Sequence, residues 1–518
     1  MESGHFFASV GFTTVLILLA TFIVVPNYPI TGMSVYEPDS LTLREGDYRK
    51  AIDILKEHDL KREIEQVVSQ LEQRDELDSR DLKVIRKIVE DIDDDVREDI
   101  EKALGYDKKR RSYIVEFGKQ QVGVMSARSV HAQFKKDLKD MRGVSIASVD
   151  RGREFKRVFN GMQVMLSDEE YSKVTSLSYI KNVHMDREVH ALVEKSAGSI
   201  GAGTGQLDHN GSGITIAVID TGVDYTHPDF GNCSRVEYLE GNCEKFIPGY
   251  DYVNIDSDPM DDAGHGTHCA SIAGGSNGIA PEATIVPFKV LDAAGSGSTS
   301  DIIAAIERAV DPNLDFDTSD HYDIISLSLG GDGDPDDPLS KAVDEAVMEG
   351  VTVVVAAGNS GDYRTIASPG CAKEAITVGA SCREDQLWGD CYSEIASFSS
   401  RGPSYGHVKP DVVAPGVEIC AAESSEVDNY GESCGEGYIS LSGTSMATPM
   451  VAGAVALILQ ANPSWSPADV KTALRTTARD LGRSPVEQGM GLINVSAAIQ
   501  ADNLSKAYIE SLSNVVYK

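Results

Sequence analysis

Gly213-Ile214-Thr215-Ile216-Ala217-Val218-Ile219-Asp220 is an apolar, β-branched run that ends on a carboxylate. A run this short with no polar face reads as a strand buried on both sides, the kind that parallel sheets contain. Residues 285–291, 324–329, 351–357, 375–380 and 411–413 share that texture, and helical spacing of apolar residues falls at 300–310, 339–349, 445–460 and 467–477. Strand alternating with helix predicts an α/β fold with a mostly parallel sheet flanked by helices. Ligands of such sheets gather beyond the carboxyl ends of the strands, which is where Asp220 falls.

Two other stretches complete a pattern with Asp220-Thr221-Gly222. Gly264-His265-Gly266-Thr267-His268 begins a helix of small residues, and Gly443-Thr444-Ser445-Met446-Ala447 is a glycine turn feeding a long apolar helix. A serine hydroxyl is a poor nucleophile at neutral pH. It must pass its proton to a base as it attacks, and that base needs an anion to orient it. The chain supplies one candidate for each role: Ser445, His265 and Asp220. Ser445 starts a helix, where free backbone N–H groups favour developing negative charge. The strand pattern at 351–357 runs into Gly358-Asn359, which sets an amide side chain at a strand's carboxyl end. An isolated Asp-Thr-Gly or a single histidine is usually structural, as His268 reads here. Four blocks in this order and spacing are not a chance match.

From about residue 213 to 498 the chain resembles the subtilisin-like serine proteases, or subtilases, whose catalytic residues also run Asp, His, Ser. The resemblance implies a serine endopeptidase with Asp220, His265 and Ser445 as its triad, and with Asn359 and the backbone N–H of Ser445 as its oxyanion hole. It also implies that Gly295-Ser296-Gly297 and Ser328-Leu329-Gly330 flank an extended substrate by strand addition. Main-chain pairing holds any extended polypeptide, so broad specificity is expected. Ala356, Ala357, Gly358 and Ala367 line the first upstream pocket in this reading. Their small apolar walls imply a preference for medium to large apolar residues and argue against a strict need for Arg or Lys. Ser368-Pro369-Gly370 matches a family loop whose proline bond is often cis, and that isomer is expected here. No cofactor is needed for the chemistry. The competing readings are a catalytically silent binding protein and a narrow processing protease; no catalytic position is substituted.

Composition bounds the partners. The chain has 518 residues, which calls for two or three domains. Its 81 acidic against 47 basic residues give a formal charge of −34, which disfavours nucleic acid and anionic lipid. Asp251, Asp256, Asp258, Asp261 and Asp262 precede His265 in a loop resembling a calcium site of the family, and Asp332, Asp334, Asp336 and Asp337 form a second acidic loop. Oxygen ligands at this density suit calcium as a structural ion, while a solvated acidic loop is the plainer alternative. The short turn at 274–278 departs from the longer subtilisin loop that helps to bind calcium. His265 and His268 lack the Glu and spacing of a zincin helix, so zinc is not expected.

The amino-terminal part is read as three segments. Residues 1–34 hold an apolar run at 6–25, suited to a signal peptide or a retained membrane anchor. Residues 35–110 are an acidic helical spacer that ends at Lys108-Lys109-Arg110-Arg111, a processing site or a charged linker. Residues 111–195 give the order β-α-β-(β)-α-β, a small ferredoxin-like domain. It resembles the subtilase propeptide, an intramolecular inhibitor whose tail stays in the cleft after self-cleavage. The cut is expected between Asp186 and Ser199, and the alternative is a permanent regulatory module. The peptidase domain is expected at 196–502, with a tail at 503–518. Eight cysteines include three pairs close in sequence, Cys233 with Cys243, Cys382 with Cys391 and Cys420 with Cys434, which would staple loops in an oxidising compartment. Cys269 and Cys371 remain; some subtilases carry a buried, unpaired cysteine beside the catalytic histidine. An extracellular location follows, secreted or anchored.

Overall fold

The computed structural model describes residues 111–118, 123–140, 153–191, 209–382, 391, 394–427 and 432–501. The apolar run 6–25, the helical pattern 47–104, Lys108-Lys109-Arg110, most of the glycine-rich connection 198–213 and the tail 503–518 lie outside the described residues. The chain divides into two compact units. One is Met1–Arg111 with Asp137–Arg151 and Met165–Lys173; the other is Ser112–Lys136 with Gly152–Val164 and Val174–Lys518, and it carries the candidate site.

Seven parallel strands form the main sheet: β6 (Thr215–Asp220), β7 (Tyr250–Asp251), β8 (Thr284–Lys289), β10 (Ile324–Leu327), β12 (Thr352–Ala356), β13 (Ile376–Ser381) and β14 (Val412–Pro415), in the order β14-β13-β12-β10-β6-β8-β7. The strands read as unbroken apolar runs because both faces are covered. Ile216 and Val218 join one core with Ala447, Val451 and Val455 of the long helix Thr444–Ala461. Ala217 and Ile219 join the opposite core with Ile302, Ile306, Leu339 and Val343 of the helices Thr299–Val310 and Pro338–Met348. That long helix is apolar enough to cross a membrane by composition, yet 83% of its apolar window is buried in this core. The mostly parallel sheet flanked by helices is therefore as expected.

Two details differ from expectation. The run 324–329 is not one strand: it breaks at Ser328, and β11 (Leu329–Gly330) leaves the main sheet to pair antiparallel with β5 (Glu188–Ala191). A small antiparallel sheet of β15 (Ile419–Ala422), β17 (Tyr438–Leu441) and β16 (Glu432–Gly435) was not foreseen, because its Ser-, Gly- and Cys-rich strands lack an apolar alternation. Cys420–Cys434 ties its outer strands, and Cys233–Cys243 and Cys382–Cys391 complete the three expected disulfides. Cys269 and Cys371 are free and buried. Ser368-Pro369 is cis as anticipated; Gly402-Pro403 and Lys409-Pro410 are cis as well.

The amino-terminal domain has the sheet order β2-β3-β1-β4, from β1 (Arg111–Phe117), β2 (Glu154–Phe155), β3 (Gly161–Leu166) and β4 (Ile180–Met185), with helices at Gly123–Asp140 and Asp168–Thr175. This is the ferredoxin-like order read from sequence.

Candidate active site

β6 delivers Asp220 at its carboxyl end, and the helix His265–Gly274 begins with His265. Gly264 enters that helix at φ 88°, in the left-handed region that glycine tolerates. A Cβ on Gly266 would lie 2.1 Å from Gly222 O, so the motif glycine lets helix and strand end approach this closely. Nδ1 of His265 donates to Asp220 Oδ1 at 2.6 Å, and Thr221 N donates to the same oxygen at 2.7 Å. Both side chains are buried. Burial opposes a charged imidazole, but the Asp220 carboxylate overrides it and holds the His265 pKa well above its ordinary value. His268 is pushed down to about 3, by burial and then by His265, and its Nε2 donates to Ile419 O and Ile439 O. It is structural, as read.

Ser445 lies in the first turn of the helix Thr444–Ala461. Its hydroxyl donates to Ser328 O at 2.9 Å rather than to His265, and Ser328 Oγ donates back to Ser445 O at 2.9 Å. Cys269 bridges the two motifs: its Sγ is 3.9 Å from His265 Nε2 and donates to Ser445 O at 3.4 Å. Burial pushes the Cys269 thiol up, which disfavours the thiolate a cysteine nucleophile needs. Asn359 accepts from Thr444 N at 3.0 Å and Thr444 Oγ1 at 2.9 Å, which fixes the amide plane. Its Nδ2 is buried without a hydrogen-bond partner, a donor in reserve one residue from Ser445.

The chain's own strand lies along the expected substrate groove. β5 pairs antiparallel with Ser296–Ser298 (β9) on one side, His190 opposite Ser296, and with β11 on the other, Ala191 opposite Leu329 and His190 opposite Gly330. Val189 is 3% exposed and joins the core that contains Leu291, Ile302 and Leu339. The proposed pocket residues are neighbours: Ala367 N donates to Ala357 O at 2.9 Å, and a Cβ on Gly358 would lie 3.3 Å from that of Ala367. Gly295 O accepts from Ala191 N at 2.8 Å. Carboxylates fasten the segment. Asp186 accepts from Ser300 N at 3.1 Å and Ser300 Oγ at 2.8 Å, Glu307 Oε1 accepts from Lys156 N and Arg157 N at 2.6 Å each, and Glu116 pairs with Lys341 at 3.1 Å. Sequence reasoning missed these contacts, which join residues more than a hundred positions apart.

The carboxylates of the acidic loop are each engaged by protein donors. Asp256 accepts from Asp258 N, Asp258 from Tyr225 and Arg235, and Asp262 from Lys289 Nζ at 2.5 Å. Asp261, fully buried, has both oxygens occupied by protein donors. In the second loop Asp337 caps a helix through Ser340 N and Asp334 accepts from Asp336 N. Among the described residues, three potential ligand atoms converge within 4.8 Å only at Asp220, His265 and Cys269.

Residues 211–492 match the Subtilase family, Peptidase S8. The chain belongs to the subtilase family. This subtilase is 42% identical over 353 residues to the serine protease AprX of Bacillus subtilis (strain 168), covering 64% of this chain and 76% of AprX. It is 35% identical over 412 residues to subtilisin E of the same organism, covering 77% and 93% of the two chains. The solved structure of fervidolysin from Fervidobacterium pennivorans shares the fold, with a TM-score of 0.56 at 23% identity, covering 76% of this chain and 61% of fervidolysin. The subtilase is a serine endopeptidase that hydrolyses peptide bonds in proteins or peptides and needs no cofactor for the chemistry.

Proposed function

We propose that the chain is an exported, self-activating endopeptidase of broad specificity whose catalytic residues are Ser445, His265 and Asp220. Nε2 of His265 takes the hydroxyl proton as Ser445 Oγ bonds to the peptide carbonyl carbon, and Asp220 holds the ring through Nδ1. The carbonyl oxygen becomes an anion, met by Asn359 Nδ2 and the Ser445 backbone N–H. His265 then gives its proton to the leaving amine, and water releases the acyl group by the same relay. Because His265 titrates high, activity rises with pH through its pKa.

One observation carries the reading: β5 seats antiparallel between Ser296–Ser298 and Leu329–Gly330, with Ser328 O taking the Ser445 hydroxyl one residue further on. An extended peptide held this way is what an endopeptidase cleft binds. Residues 111–195 are accordingly assigned as a propeptide inhibitor and 196–502 as the peptidase domain, with the self-cleavage bond between Asp186 and Ser199. Residues 6–25 act as the export signal or tether, and three disulfides support export. The test is intact mass and amino-terminal sequencing of the full chain beside Ser445→Ala, expressed for export. Wild type cut within that stretch and an uncut mutant are expected. Two uncut, folded proteins would overturn self-activation.

A further inference from the structure

The carboxylate of Asp261, four residues before His265, makes contacts that lead into the active site. Helix His265–Gly274 has an awkward start. Its N-cap, Gly264, has no side chain, so none of the first free N–H groups is capped in the usual way. Two side chains from elsewhere do that work. Thr221 Oγ1 accepts from Gly266 N at 2.8 Å, and Asp261 Oδ2 accepts from Thr267 N at 2.8 Å and Thr267 Oγ1 at 2.6 Å. Asp261 Oδ1 accepts from Ala263 N at 3.0 Å, from Gly264 N at 2.9 Å and from Thr221 Oγ1 at 2.8 Å.

That last bond closes a ring. Thr221 follows Asp220, its N–H donates to the Asp220 oxygen that His265 contacts, and its carbonyl accepts from buried Lys289 Nζ at 2.9 Å. Strand end and helix start are thus tied twice, once by the Asp220–His265 contact and once behind it by Asp261 through Thr221. All five donors to Asp261 are N–H or O–H groups, and the residue is fully buried, so no water can replace the carboxylate.

We propose that Asp261, acting through Thr221, is a positioning residue for catalysis: it fixes the angle at which His265 meets Asp220 and Ser445. It touches neither substrate nor nucleophile. A neutral amide at 261 would turn an N–H toward Thr267 N, two donors facing, and the helix start would shift. A misplacement of this kind costs roughly 100-fold in rate without weakening substrate binding. The charged and titratable groups facing His265 are Asp220, Cys269 and His268, with Asp261 one layer behind.

This rests on the proposed triad, and the experiment separates the two. Full-length wild type, Asp261→Asn, Thr221→Val, Thr221→Ser and Ser445→Ala are assayed with a soluble peptide substrate, with sites counted by a fluorophosphonate. Expected is a kcat per folded protein lower by roughly 100-fold in Asp261→Asn, with KM unchanged and the acid limb of the pH profile moved. Thr221→Val loses activity likewise, and Thr221→Ser, which keeps the hydroxyl, restores it. If Asp261→Asn keeps wild-type kcat and pH profile and loses only thermal stability, its role is structural and the inference is wrong. An active Ser445→Ala would instead overturn the triad. Should Asp261→Asn not fold, the Thr221 pair decides: equal kcat in Val and Ser variants overturns the proposal.

Discussion

Asp411, buried, and Glu307, half-buried, are both carboxylates of the peptidase domain, and they find their partners in opposite places. Asp411 is served from within that domain: Lys409 Nζ at 2.8 Å, Thr377 N at 3.0 Å, with Lys471 and Arg475 beyond. The nearby cations outweigh burial and hold its pKa far below the usual carboxylate range. Glu307 takes backbone N–H donors from Lys156 and Arg157 of the amino-terminal domain, and burial pushes it up to about 7. The difference teaches which carboxylate depends on the amino-terminal segment and which does not. Asp411 draws its partners from Lys409, Thr377, Lys471 and Arg475 of the peptidase domain, whereas Glu307 on the helix Thr299–Val310 accepts from backbone N–H groups of the amino-terminal segment.

The comparison can be broken most directly at Asp411. Asp411→Asn leaves Lys409 and its neighbours without their anion and should cost about 3 to 5 kcal/mol in denaturant unfolding. Its folded pKa is depressed, so its stability is present above the unfolded value of roughly 3.9 and is lost as pH falls through the folded pKa. The variant should therefore show a flatter acid limb. A loss within experimental error would mean that the domain is not held this way.

Asn359→Ala tests the reserve donor. It should lower kcat roughly 100- to 1000-fold, the range found for the equivalent loss in a subtilisin, with the fold and KM kept. An unchanged kcat would remove Asn359 from the oxyanion hole.

Glu307 sharpens the contrast. Its pKa is raised in the docked state, so docking of the amino-terminal domain is strongest below about 4.3 and weakens as pH rises to about 7, by at most about tenfold per pH unit. Glu307→Gln should abolish that dependence in binding of the separately supplied domain to mature enzyme; a slope that survives would place the titrating group elsewhere. The smallest effect is expected at Lys341, one of four partners of Glu116 along with Lys181, Asn182 and His184. Lys341→Ala should weaken docking by about 1 kcal/mol or less, measured by calorimetry at two salt concentrations. A larger loss would mean that this pair anchors the domain.

The parts legible beforehand were those encoded locally. Apolar runs such as 213–220 marked strands covered on both faces, and glycine turns before His265 and Ser445 marked helix starts. The contacts of Asp261 were not legible, for a physical reason. Five aspartates in one loop look alike as charges, and only burial and donor placement distinguish a carboxylate that spans strand and helix from one that salt-bridges Lys289. The break at Ser328 was equally hidden, since β11 turns away to meet a strand more than a hundred residues earlier.

By itself the sequence determined the α/β class and the three catalytic candidates with Asn359, and suggested the cysteine pairs, because each depends on residues near one another or on an ordered set of short motifs. Tertiary structure alone decided that Glu188–Ala191 pairs between Ser296–Ser298 and Leu329–Gly330, that Asp261 takes five protein donors, and that Cys269 lies between His265 and Ser445. Those outcomes turn on distances and on the exclusion of water between segments far apart in the chain, quantities that exist only once the two cores have closed around the sheet.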